Sequence, residues 1–169
     1  MTVEMKIPQT IQIDNHLSLV LIDNAHASAL LAAIDRNRDW LRKWLPWVDY
    51  MRTTQHVHSY IDRCREQHLA GTDIGFVIFY DEQLIGRIGI HNVDQRNRIG
   101  AIGYWIDHAY AGKGIVTKAC KEMLQLGFEN LQLHRMEIRC ATGNDKSAAV
   151  AERLGFLKEG VLREAELVN

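Results

Sequence analysis

The sharpest change of pattern in the chain lies between residues 99 and 128. From Ile99 to Ile106 apolar residues alternate with small or polar ones, the two-residue period of a β-strand. Beyond the glycine turn Gly112-Lys113-Gly114 the period lengthens. Ile115, Ala119, Met123, Leu126 and Gly127 fall at helical spacing, which predicts a helix from Ile115 to Phe128. A strand thus runs into a turn that opens a helix. The first turn of that helix offers unpaired backbone N–H groups at its positive end, where an anion can sit.

The remaining pattern builds outward from this unit. Residues 1–15 read as an extended lead-in, and Leu17–Ile22 as a first strand. Asp23-Asn24 can cap a helix whose face carries Ala27, Leu30, Leu31, Ile34 and Arg38. Trp40, Leu41, Trp44, Leu45 and Trp47 follow, interrupted by Pro46. Thr53-Thr54 can cap a second helix through Leu69, with Val57, Tyr60, Ile61, Cys64 and Leu69 on one side. Ile74–Tyr80 and Leu84–Val93 are β-rich runs joined by Asp81-Glu82-Gln83, with Gly86 and Gly89 marking a bulge or weak point. The polar turn Asp94–Arg98 leads into Ile99–Ile106 and completes an antiparallel meander. After the glycine-turn helix, Arg135–Ala141 reads as a strand parallel to Ile99–Ile106, since a helix crosses between them. Asn144 can cap a helix over Asp145–Leu154, Gly155 stops it, and Phe156–Leu162 reads as a last strand. The expected class is α+β, a mixed and mostly antiparallel sheet with helices on both faces.

Length and charge narrow the function. A chain of 169 residues is one domain of ordinary size, from 1 to 169 with a core from about residue 10. With a net charge of −1 and scattered Lys and Arg, DNA is not the expected partner. No apolar run approaches a membrane span, and Met1–Lys6 has no signal-peptide architecture. Cys64, Cys120 and Cys140 form no C-x-x-C pair and fit a reducing cytoplasm. His56 and His58 are two apart, so they diverge on a helix, and no metal site is expected.

The turn matches neither common phosphate-binding fingerprint. It lacks the G-x-x-x-x-G-K-[ST] spacing of a nucleoside-triphosphate loop. In the dinucleotide pattern Thr117 stands where the third glycine belongs. A pyrophosphate held by a bare G-x-G turn, or an ordinary tight turn, remains. Beyond the turn, Trp44-Leu45-Pro46-Trp47, Ile102-Gly103-Tyr104-Trp105-Ile106, Gly112-Lys113-Gly114-Ile115, Asn144-Asp145-Lys146-Ser147 and Arg153-Leu154-Gly155-Phe156 form a wider pattern. Together they resemble the GCN5-related N-acetyltransferases (GNAT), in particular the RimJ/RimL branch that acetylates protein N-termini. The resemblance runs from about Leu17 to Asn169. One departure is Ala109, where the family loop usually has Gln or Arg, so backbone N–H groups must carry more of the phosphate site.

That resemblance implies a GNAT fold of six to seven strands with a splayed central strand pair, and acetyl-CoA as cosubstrate without a metal. Ile102, Tyr104, Trp105 and Ile106 would face the pantetheine arm, in part through their backbone. Tyr110, Ala111, Gly112, Lys113, Gly114 and Ile115 would hold the pyrophosphate, with Thr117 behind them. Asn144 would hold a pantetheine amide. The tyrosine that many of these enzymes use as acid would fall at Ala151, so that role is vacant there. Ser147 matches the serine proposed as acid in the RimL-like branch, or it serves only as a helix-start serine. Asp107 and His108 at the strand's end, Glu137 and His91 are the candidate bases; each has a plain structural reading as well. Trp40, Trp44 and Trp47, with His91, would line the acceptor groove, or the tryptophans pack a core.

The expected reaction is direct attack of a neutral amine on the thioester. About a tenth of an α-amine is neutral at pH 7, against about 0.04% of a lysine amine. A protein N-terminus is therefore the first expected acceptor. A polyamine or aminoglycoside, a non-catalytic acyl-CoA-binding module and a nucleotide-phosphate binder are the alternatives. The family also has a further C-terminal strand, and the chain stops at Asn169. Either that strand is missing or a second subunit supplies the pairing, which makes a homo-oligomer an expectation.

Overall fold

Six strands lie side by side in chain order: β1 (Thr10–Gln12), β2 (Leu17–Leu21), β3 (Ile74–Tyr80), β4 (Gln83–Asp94), β5 (Ile99–Ile106) and β6 (Arg135–Ile138). This is a computed structural model, and it describes residues 7–168. Neighbours are antiparallel except β5 and β6, which are parallel because helix α4 (Ile115–Gln125) crosses between them. The other helices are α1 (Ala27–Asp35), α2 (Arg38–Leu41), α3 (Thr54–Leu69) and α5 (Asp145–Arg153).

Strand periodicity explains the two layers of core. Phe76, Ile78, Ile88, Ile90 and Ile102 point to one face, where Ile115, Ala119 and Met123 of α4 cover them. Val77, Leu84 and Trp105 point to the other, under Leu30 and Ile34 of α1 and Val57 and Ile61 of α3. With both faces covered, β3 is an unbroken apolar run instead of a half-polar one. Burying each such Leu, Ile or Phe contributes about 1.5–3 kcal/mol. Caps fix the helix starts: Thr53 Oγ1 accepts from His56 N–H, and Asn144 Oδ1 accepts from Ser147 N–H.

The pairing of β5 with β6 is short. It runs from Ile99↔Arg135 to Ile102↔Ile138, whereas β5 continues to Ile106. Its other edge stays paired to β4 as far as Ile106↔Gly86. The second half of β5 therefore extends past the β6 ladder, next to the turn that opens α4.

Several expectations need correction. The segment 1–15 contains strand β1, although residues 1–6 lie outside the described residues. The helix expected to end at Phe128 is α-helical to Gln125 and continues as a π-helical turn over Leu126–Asn130. β6 ends at Ile138, short of Ala141. Phe156–Leu162 forms no strand. Its apolar residues have no partner ladder to join, and Leu157, Val161 and Leu162 are exposed. Side chains hold this segment near β6 instead: Arg135 donates to both Glu159 oxygens, at 2.8 and 2.6 Å.

Candidate active site

The turn after β5 is anchored before it reaches its glycines. Asp107 is buried, and its Oδ1 accepts from Ala109 N–H at 3.0 Å. Its Oδ2 accepts from Arg36 Nε at 2.6 Å. Asn37 Oδ1 accepts from His108 N–H at 2.9 Å. The chain then passes through Gly112 at φ +78° and Gly114 at φ +76°, left-handed conformations that disfavour side chains. A Cβ at either glycine would meet nothing within 4 Å. The space over the turn is open, and the first N–H groups of α4 begin there. Ile115 is buried and fixes that helix start to the core.

These features fit a diphosphate: backbone donors, a helix N-terminus, glycine conformations and an exposed lysine. Lys113 Nζ lies 4.9 Å from the centre of the Tyr110 ring. Tyr110 in turn donates to Gln83 Oε1 at 3.3 Å. Ala111 continues the turn in extended conformation. Thr117 Oγ1 is bonded by Arg153 at 3.2 Å, and Lys118 pairs with Asp14 at 2.7 Å.

Beside the second half of β5, two of the expected residues meet. Tyr104 projects toward the first turn of α5, and its hydroxyl lies 2.8 Å from Ser147 Oγ and 3.2 Å from the Ser147 carbonyl oxygen. Burial pushes the Tyr104 phenol up to about 12, against a smaller downward pull from Ser147. It is a neutral donor at any physiological pH. Ile102 is buried on the same face, and Ile106 is half-buried there. Asn144 has its carbonyl oxygen occupied by the cap, while its amide N–H groups can still donate.

The four candidate bases separate into two kinds. Burial raises the Asp107 carboxyl, but hydrogen bonds from Arg36 and Asn37 outweigh it and the net shift is downward. Glu137 shows the same balance, with Arg135 and Arg139 holding it below the usual range. Each carboxylate is engaged by arginine, so Asp107 anchors the turn and Glu137 ties Arg135 of its strand to Arg139 just beyond it. The two imidazoles differ. His91 is half-buried, with its Cε1 2.8 Å from where a Cβ on Gly103 would stand, so only glycine at 103 leaves room for the ring. Burial lowers the His91 pKa, Asp73 opposes this, and Arg87 and Arg139 add to it. His108 is exposed and lies against Trp40, with ring centres 4.1 Å apart.

The three tryptophans take different places. Trp40 carries His108 and two ammonium groups: Lys43 Nζ at 5.7 Å and Lys146 Nζ at 4.9 Å from a ring centre. Trp47 packs on Trp105 at 6.3 Å in the core under α1 and α3. Trp105 is buried there, on the face away from Ser147, so its indole is a packing group. Trp44 is half-buried. Trp40 is thus the one tryptophan that joins α2, the turn after β5 and the start of α5. Lys146 was not singled out from the sequence, although its place beside Ser147 was a usable signal. The Arg36–Asp107 pair spans 71 residues and left no local trace.

Residues 16–157 match the Acetyltransferase (GNAT) domain family. The chain belongs to that family. GNAT relatives align over nearly the whole chain. YdaF of Bacillus subtilis (strain 168) is 38% identical over 161 residues, 95% of this chain and 88% of that one. The ribosomal-protein-serine acetyltransferase of Escherichia coli (strain K12) is 30% identical over 161 residues, 95% and 90% of the two chains. Among solved structures, RimL, a ribosomal L7/L12 alpha-N-protein acetyltransferase in complex with coenzyme A, superposes with a TM-score of 0.90 at 26% identity. It covers 95% of this chain and 90% of that one. The activity supported is therefore GNAT-type acetyl transfer from acetyl-CoA. Among the described residues, no group of three or more His, Cys, Asp or Glu side chains could hold a metal ion. No described helix is long and apolar enough to cross a membrane.

Proposed function

We propose that this GNAT enzyme acetylates the N-terminal α-amine of a protein, in the manner of the RimJ/RimL branch. Acetyl-CoA lies with its diphosphate on the Gly112–Ile115 turn and its pantetheine arm along the half of β5 that outruns β6. The thioester then stands near Ser147. The amine nitrogen attacks the carbonyl carbon, a C–N bond forms, and the C–S bond breaks with its electron pair on sulfur. The nitrogen loses one proton and sulfur gains one. Ser147 donates a hydrogen bond to the departing sulfur. The unengaged imidazoles, His91 and His108, are the groups able to take the amine proton.

The observation that carries the choice of acceptor is the charge around Trp40. Lys43 and Lys146 both lean on this ring, Lys146 being the chain neighbour of Ser147, and neither has a carboxylate ion pair among the described residues. Two nearby acids are engaged, Asp39 with Arg42 at 3.4 Å and Asp107 with Arg36, while Asp145 beside Lys146 is exposed to solvent. A polyamine would bring several positive charges to a cationic rim. A peptide brings one reactive amine and backbone carbonyls that ammonium groups can bind.

The test is acetyl-CoA thioester loss against N-terminal peptides, spermidine and an aminoglycoside. Peptides are expected to turn over faster than either amine. The double variant Lys43→Glu, Lys146→Glu is expected to raise KM for peptides about fivefold and to lower it for spermidine, with both effects shrinking at high salt. Faster turnover of spermidine than of any peptide by the unmodified enzyme would overturn this reading of the acceptor.

A further inference from the structure

The contact between Tyr104 and Ser147 carries more than packing. Tyr104 stands on β5 and Ser147 on the first turn of α5, 43 residues later, yet their oxygens meet at 2.8 Å. The phenol has one proton and two acceptors in reach, Ser147 Oγ and the Ser147 carbonyl oxygen at 3.2 Å. The pair has two proton arrangements with the heavy atoms in place. In one, Tyr104 donates to the carbonyl and the serine proton is spent on Tyr104. In the other, Tyr104 donates to Oγ and the serine proton is free to point elsewhere.

We propose that Tyr104 is a positioning residue that holds Ser147 in the second arrangement, so that the serine O–H is aimed at the thioester sulfur as the C–S bond breaks. This rests on Ser147 acting on the leaving group, as set out above. The helix position at which many of these enzymes carry a tyrosine is Ala151 in this chain. Here a phenol comes instead from the strand, and it meets Ser147.

Chemistry limits what Tyr104 can do. A phenol raised to about 12 is a weaker acid than a thiol near 8.5, so giving its own proton to the sulfur would be uphill. It keeps that proton and polarises the serine. The proton that sulfur finally retains is balanced by the one the amine nitrogen gives up. Two linked hydroxyl groups strengthen each other as donors in a partly buried site, and burial excludes water that would otherwise compete for Ser147.

The selenium analogue of acetyl-CoA separates this role from a structural one. A selenolate leaves more readily than a thiolate and depends less on a hydrogen-bond donor. Tyr104→Phe keeps the ring and removes the donor. Its kcat with acetyl-CoA is expected to fall about tenfold, with KM for acetyl-CoA changed less than about twofold. With the selenoester its loss is expected to be less than about threefold. Because both substrates are assayed on one preparation, partial misfolding lowers both rates equally and does not alter the ratio. Equal losses with the two substrates, or no loss with acetyl-CoA, would overturn the inference. Ser147→Ala, assayed in parallel, distinguishes the underlying reading. A loss in Ser147→Ala with none in Tyr104→Phe overturns only the part given to Tyr104. No loss in Ser147→Ala overturns both.

Discussion

Replacing Ser147 by alanine is expected to lower kcat about 100-fold while leaving KM for acetyl-CoA within about threefold. A positioned donor that meets charge developing on a leaving group acts mainly in the transition state, and losing one commonly costs a factor of 10²–10³ or so. The ground-state thioester makes little use of it, so binding is spared. Folding is spared as well. Ser147 is half-buried, and the cap of α5 uses its backbone N–H, which alanine retains. Steady-state rates with the best peptide acceptor, alongside a thermal melt, check both parts. A fall in affinity for acetyl-CoA with kcat unchanged would place Ser147 in cosubstrate binding instead.

Gly114→Val is expected to act on the opposite parameter. Gly114 precedes the first turn of α4 at φ +76°, and a β-branched residue there costs about 1–2 kcal/mol of backbone strain. A Cβ added there meets no protein atom within 4 Å, because the space around it is open. That space is where the diphosphate is placed in this account. KM for acetyl-CoA should therefore rise more than about tenfold, while Tm falls only a few degrees. Isothermal titration with coenzyme A and a melt of the same sample separate the two effects. An affinity for coenzyme A equal to that of the unmodified protein would mean that the diphosphate lies away from this turn.

The local patterns were legible because they depend on neighbours in sequence. The strand Ile99–Ile106 and the start of the next helix at Ile115 appear where alternation and helical spacing placed them. Thr53 and Asn144 cap the helices they precede. The last expected strand fails for a related reason. Apolar residues at Phe156, Leu157, Val161 and Leu162 allow a strand but say nothing of a partner, and the segment pairs with no strand among the described residues. The side chains around Ser147 were legible only in part. Glu137 has arginines two residues away on either side, Arg135 in its strand and Arg139 just past the strand's end, so its engagement could have been read from spacing. Asp107 could not, since Arg36 comes from α1's end, 71 residues earlier. Tyr104 appeared in sequence as a strand residue offering its backbone. Its hydroxyl meets Ser147 because the fold brings the first turn of α5 onto β5, and no local pattern encodes that approach.

A crystal structure of the protein with coenzyme A tests the whole account most directly. The account predicts the diphosphate on the backbone amides of Gly112–Ile115, and the pantetheine arm beside residues 103–106, ending with sulfur within hydrogen-bonding distance of Ser147 Oγ. A coenzyme whose sulfur ends away from Ser147, or whose diphosphate lies off that turn, would contradict it.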